Sequence, residues 1–99
     1  MKAAVRDNTA QQRFELAVGD ALAIIDYRRE GRFVAMTHAE VPPDLRGKGV
    51  GSALVAGALA LVRERGEKVA PLCPFVRRYI RWHPETEDLL ADGYDQRPP

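Results

Sequence analysis

Apolar and polar residues alternate from residue 13 to 18, with Phe14, Leu16 and Val18 on one side, the period of a strand with one buried face. Gly19-Asp20 interrupts the alternation as a turn. Leu22, Ile24, Ile25 and Tyr27 carry a second strand over residues 21–28, residues 29–32 make the next turn, and residues 33–41 form a third strand. Links this short join neighbours antiparallel, so the first half of the chain reads as a meander of hairpins. Residues 1–11 are polar and hold at most a short edge strand that includes Val5. The period then changes. Pro42-Pro43 has no N–H to give a ladder and closes the third strand. Over residues 50–65 the apolar positions (Val50, Ala53, Leu54, Val55, Ala58, Leu59, Leu61, Val62) surround most of a helical circumference, which predicts a helix buried on more than one side. Gly66 stands where a left-handed residue ends a helix. Residues 68–73 predict a strand, parallel to the third after the helical crossover. Residues 75–82 predict a short helix with Phe75 and Trp82 in the core. Pro84 opens a last turn through Leu90, and a tail follows from Asp92.

This pattern is α+β: a mixed sheet in three layers, with an antiparallel N-terminal meander, one buried central helix and a short C-terminal helix. Ninety-nine residues make one domain over 1–99, with its core at about 13–90 and a tail at 92–99. No apolar run approaches the ~20 residues of a membrane span, and the first residues hold no apolar stretch of a secretory leader. A single cysteine forms no internal disulfide. A cytoplasmic protein is expected, with no membrane partner.

The net charge of +1 hides a segregation. Between residues 46 and 81, Arg46, Lys48, Arg63, Arg65, Lys68, Arg77, Arg78 and Arg81 face only Glu64 and Glu67, while the segments on either side are acidic. Arg63 and Arg65 suit the C-terminal end of the long helix as solvated charges. No aromatic residues interleave with the basic ones as a nucleic-acid platform requires, so nucleic acid is not an expected partner. No metal site is expected.

The basic block begins at Arg46-Gly47-Lys48-Gly49-Val50-Gly51-Ser52, directly before the long helix. Glycines let the backbone turn tightly and approach a ligand, and the first N–H groups of a helix lack partners within it. Such a site suits a diphosphate. A Walker A loop needs Gly-Lys followed at once by Ser or Thr, but Gly49 follows Lys48; a dinucleotide fingerprint needs two residues before its last glycine, and here there is one. Prolines flank both strands that neighbour across the helix: Pro42 and Pro43 end the third, Pro71 lies inside the fourth, and Pro74 ends it. Proline marks broken pairing. The two strands are expected to pair along their first halves and then part, leaving free backbone groups near Glu40 and Val41. An amide-bearing arm could fill that slot as an added strand would. A diphosphate with a long amide arm is coenzyme A.

The glycine loop resembles the pyrophosphate-binding motif R-x-x-G-x-G/A of the GNAT acetyltransferase superfamily. Residues 37–42, the loop, residues 71–80 and His83-Pro84-Glu85 together look like its small single-domain members of about a hundred residues. The resemblance implies a GNAT-like (acyl-CoA N-acyltransferase) fold and a transferase using acetyl-CoA or coenzyme A. It implies that the backbone of Arg46, Gly47, Lys48, Gly49, Val50 and Gly51 holds the pyrophosphate, with the Ser52 hydroxyl beside it. Val41 pairs with the pantetheine amides, and Lys48, Arg77 or Arg78 meets the 3′-phosphate. Full-length relatives place two acceptor-side helices after the first strand; the turn between Val18 and Ala21 leaves no room for them.

Acyl transfer to an amine needs a base for the amine proton, a donor for the developing oxyanion and a proton for the leaving thiolate. Glu40 lies beside the slot and could take the amine proton, directly or through water, and His38, two residues earlier, shares its face of the strand. They are a candidate base and orienter, against an exposed strand carboxylate and a structural histidine. Cys73 lies at the end of the fourth strand and either accepts the acetyl group or lines the site. Tyr79 is a candidate acid by its resemblance to a GNAT tyrosine, against a core aromatic. The expectation is an acetyl-CoA-dependent N-acetyltransferase acting on an amine, small molecule or protein. The alternative is a non-catalytic CoA- or acyl-CoA-binding module acting through a protein partner. A sheet lacking helices on part of its surface also leaves a face that a homodimer would cover.

Overall fold

A computed structural model of the chain describes residues 4–94. Five strands lie in chain order, β1 (Arg6–Asn8), β2 (Arg13–Val18), β3 (Ala21–Glu30), β4 (Phe33–Glu40) and β5 (Lys68–Pro71). The first four pair antiparallel and β5 joins β4 in parallel. Two helices follow β4 and β5 respectively, α1 (Val50–Glu64) and α2 (Pro74–Trp82). A 3-10 turn over Pro84–Leu89 then brings Leu90 beside Val69 as a short parallel bridge. No described helix is long and apolar enough to cross a membrane.

The meander follows the alternation, with two adjustments. The β3–β4 hairpin is tighter than expected, because β3 runs on to Glu30 and Gly31 turns the chain with φ 66°. In β4 the register shifts at Asp26/Tyr27, so that Asp26 opposes His38 while Tyr27 opposes Met36. Thr37 is the extra residue, and its hydroxyl donates to the Asp26 carbonyl at 3.3 Å. The bulge decides which way the end of β4 faces. Ala39 pairs with Ile25, whose side chain is in the core, while His38 and Glu40 pair with Asp26 and Ile24 on the other face.

One core joins the sheet to α1, α2 and the Pro84–Leu89 turn. Phe14, Leu16, Ile25, Val34, Met36 and Val69 pack with Leu54, Val55, Ala58, Leu59 and Val62 of α1, with Val76 and Ile80 of α2 and with Leu89. The arrangement is therefore two layers, not three. The buried positions of α1 fall on one stripe; of the other positions that made the helix look apolar all round, Val50 and Leu61 are half-buried and Ala53 is exposed. Trp82 is 75% exposed, because Val76 and Ile80 define the buried side of α2 and Trp82 falls opposite them.

Long-range polar pairs fasten the edges. Arg63, expected in solvent, grips Asp88 through both carboxylate oxygens at 2.7 and 2.9 Å. Arg65 donates to Asp7 at 2.6 Å, and Asp7 also accepts the Tyr27 hydroxyl at 2.5 Å, so β1, β3 and the end of α1 meet on one carboxylate. Val5 lies just before β1 and packs on α1 at Gly57. The expected tail begins at Asp92, yet Tyr94 still packs its ring 6.4 Å from Phe33; residues 95–99 lie outside the described residues.

Candidate active site

β4 and β5 pair from Phe33/Lys68 to Met36/Pro71 and no further. Pro71 has no N–H to continue the ladder, and the Leu72 N–H turns back to the Ala70 carbonyl at 3.0 Å. Cys73 makes the last cross-strand bond, donating its N–H to the Met36 carbonyl at 2.9 Å. Beyond that point β4 continues alone on this side to Glu40, so the strands part as the prolines indicated. A cleft of about 540 Å³ opens there, lined by residues from His38 to Val41, by Leu45, by loop residues and the first turn of α1, and by Phe75.

The glycine loop forms one wall. Gly47 and Gly49 have φ of 79° and 78°, left-handed values that disfavour any side chain, and a Cβ on either would meet only open space. Gly51 is a glycine for a different reason. A Cβ there would sit 2.7 Å from Phe75 Cζ, so its absence lets the Phe75 ring close against the helix entrance. Gly49 is the N-cap of α1, with no side-chain cap and no acidic residue in the first turn. The first helical bond runs from Ala53 N–H to the Gly49 carbonyl at 3.0 Å, which leaves the Val50, Gly51 and Ser52 N–H groups without a partner in the helix. The left-handed φ of 78° at Gly49 disfavours Ser, Asp or Thr at the cap, so no side-chain oxygen covers the helix entrance. An uncapped end with its partial positive charge facing a cleft fits an anion. Lys48, Arg77 and Arg78 are exposed and outside the cleft lining.

The strand wall brings His38 and Glu40 together at the rim. His38 Nε2 stands 3.7 Å from Glu40 Oε2, and both side chains are more than half exposed. Cys73 and Tyr79 are not brought to this lining. Cys73 caps α2, is 5% exposed and packs in the core. Tyr79 points to a separate crevice between α1 and the Pro84–Leu89 turn. Burial, with Glu85 nearby, raises its pKa above that of an ordinary phenol. Its ring stacks on His83 at 3.8 Å, and the His83 Nδ1–H donates to the Tyr79 carbonyl at 2.8 Å, closing the end of α2. Phe75, expected only as core, is half-buried and faces the cleft. Arg46 also does more than its place in the motif foretold: its Nε donates to the Val41 carbonyl at 3.0 Å. Nothing in the sequence marks that contact, because it depends on how the 3-10 turn over Pro43–Leu45 returns the chain to the strand end.

Comparison with known proteins agrees with this fold. The family described as GCN5-related N-acetyl-transferase matches residues 13–89. The solution structure of a GCN5-like protein from Staphylococcus aureus superposes with a TM-score of 0.68 at 22% identity, covering 96% of this chain and 97% of that one. No curated protein matches the sequence.

Proposed function

The chain belongs to the GCN5-related N-acetyltransferase family, and on that premise we propose that it moves an acetyl group from acetyl-CoA to an amine. The observation that carries this reading is the parting of β4 from β5 beyond Met36 and Pro71, beside an uncapped helix entrance. The N–H groups of Val50, Gly51 and Ser52 and the backbone of residues 46–49 hold the pyrophosphate, with the Ser52 hydroxyl beside them. Lys48, Arg77 or Arg78, exposed outside the cleft lining, serves the 3′-phosphate. The pantetheine arm lies in the slot with its amides toward Val41, as an added strand would. That course brings the thioester to the cleft side of β4, toward His38 and Ala39.

His38 takes the proton of the amine, and Glu40 at 3.7 Å offsets the imidazolium charge. The amine nitrogen attacks the thioester carbon, the C–S bond breaks, and the sulfur leaves as a thiolate that is then protonated. Direct transfer is favoured over an acyl-Cys73 route, because Cys73 is buried in the core and outside the lining. Tyr79, facing the other crevice, takes no part.

Acetyl-CoA turnover against a polyamine, a peptide N-terminus and a lysine peptide tests the proposal. His38→Ala is expected to lower kcat roughly 100-fold or more with CoA affinity kept, Glu40→Gln to lower it less, and Cys73→Ala to retain most of it. Turnover indifferent to both His38→Ala and Glu40→Gln refutes the assignment. A second reading, a CoA- or acyl-CoA-binding module acting through a protein partner, is favoured by the tight Gly19-Asp20 turn, which leaves the sheet without acceptor-side helices. Binding without turnover against every amine selects it.

A further inference from the structure

β3 runs beside β4 on the side away from the slot, and Asp26 is the residue opposite His38. Both stand on the face of the sheet turned away from the core. The Thr37 bulge makes them neighbours. Had the register of Tyr27 and Met36 continued unshifted, Thr37 would oppose Asp26, and His38 would oppose Ile25, a core position. Instead His38 has Glu40 along its own strand at 3.7 Å and Asp26 across the strand pair, where Cβ atoms stand about 5 Å apart. Asp26 is half-buried. Two arginines adjoin it on the same face, Arg13 opposite it on β2 and Arg28 two residues further along β3. Each is engaged elsewhere, Arg13 with Glu15 at 2.7 Å and Arg28 with Glu30 at 3.3 Å. Among the described residues Asp26 forms no ion pair. A carboxylate partly withdrawn from water, beside cations that pair with others, favours a cation from outside. Its place says which one. The cleft lining takes in His38 and Glu40 but no residue of β3, and β3 lies one strand spacing of about 4.8 Å beyond them. An acceptor whose amine meets His38 and whose chain runs out over the open face passes Asp26, and the tight Gly19-Asp20 turn leaves no acceptor-side helix in its way.

We propose that Asp26 is a specificity-determining residue that selects acceptors carrying a second positive charge beyond the reacting amine. The inference rests on the proposed acetyl transfer and names its substrate class: a dicationic amine, supplied as a free diamine or polyamine or as a lysine flanked by a basic residue in a peptide. Glu40 offsets the charge that forms on His38, and Asp26 holds the ammonium or guanidinium that takes no part in the reaction.

Steady-state acetyl-CoA turnover with matched acceptors reads the selection. In the wild type, diaminobutane is expected to show a KM about tenfold below that of butylamine, the worth of one hydrogen bond to a charged group, with kcat alike. A peptide with arginine beside its lysine, set against the same peptide with alanine there, forms the second pair, and the pair with the larger ratio identifies the source. Added salt narrows the ratio. Asp26→Asn keeps the shape of the side chain. It is expected to raise the KM of the dication to that of the monoamine and to leave kcat and both monoamine constants unchanged, a split that a damaged fold or a displaced His38 does not give. Asp26→Glu, which restores the charge, keeps most of the preference. If the wild type uses both members of each pair equally well, or if Asp26→Asn keeps the ratio, the role of Asp26 is refuted and acetyl transfer stands. If no amine turns over at all, the proposed function falls and the selection with it.

Discussion

Three glycines within five residues do two different jobs. Gly49→Ala forces a left-handed backbone on alanine, at a cost of about 1–2 kcal/mol. The expected result is a melting temperature several degrees lower, with weaker CoA binding. Gly51→Ala is expected to behave otherwise. Helix propensity gains about 1 kcal/mol, but the new methyl has to push the Phe75 ring from 2.7 Å into the cleft. Thermal stability should hold while CoA affinity falls, which calorimetry beside a melting curve separates. At this scale the loop was legible because a glycine's freedom is a property of the residue itself. Gly51's role was not, because it depends on a ring 24 positions later. Trp82 was legible in principle. Val76 and Ile80 lie one turn apart, and a residue two positions after Ile80 falls on the far side of a helix.

Among the elements, α1 carries the constraint that the sequence hides best. Gly57 lies mid-helix, where glycine costs about 1 kcal/mol against alanine. An added Cβ would lie 2.3 Å from Val5 Cγ2, so the helix gives up propensity to seat the strand-leading segment. Gly57→Ala is expected to destabilise the protein by about 1–3 kcal/mol and to speed amide exchange at Arg6, Asp7 and Asn8. Val5→Ala in the same chain should recover most of that loss, a coupling that a double-mutant cycle in denaturant reads directly. A chain with no gain from Val5→Ala would show that the contact is not the cause. The strand order and the break at Pro71 could be read in advance, since hairpin lengths and prolines act locally. The pairing of Arg63 with Asp88 and of Arg65 with Asp7 could not, since each joins charges more than twenty positions apart.

For the whole molecule, the uncovered face of the sheet sets the response to acid. Glu15 lies on that face, 4% exposed, and accepts bonds from Arg13 at 2.7 Å, Asn8 at 2.8 Å and Arg6 at 3.2 Å. The Arg13 bond leads in pulling its pKa from 4.5 to about 2, with Asn8 and Arg6 adding to it against burial. A carboxyl depressed by folding stabilises fully above about pH 4.5 and loses that contribution as pH falls toward 2. Glu15→Gln should therefore lower stability at neutral pH and flatten the acid limb, with the two denaturation curves meeting near pH 2. Tyr27 sets the alkaline limb with the opposite sign. Burial and the Asp7 hydrogen bond raise its pKa from 10 to about 12, so its contribution is present below pH 10 and lost as pH climbs through 12. Tyr27→Phe should remove that alkaline dependence. The two-layer build was the least legible feature, because Val50, Ala53 and Leu61 count as apolar in a sequence yet lie outside the buried stripe of α1.

The sheet is also assembled in the order in which its strands are written, β1 through β5. A nascent chain leaving the ribosome finds each antiparallel partner already made, at the short loop lengths that favour quick folding. Only the crossover to β5 spans a long stretch. Phe75, translated just after it, closes the cleft beside Gly51, so a wall of the candidate site arrives only once the whole sheet has been made.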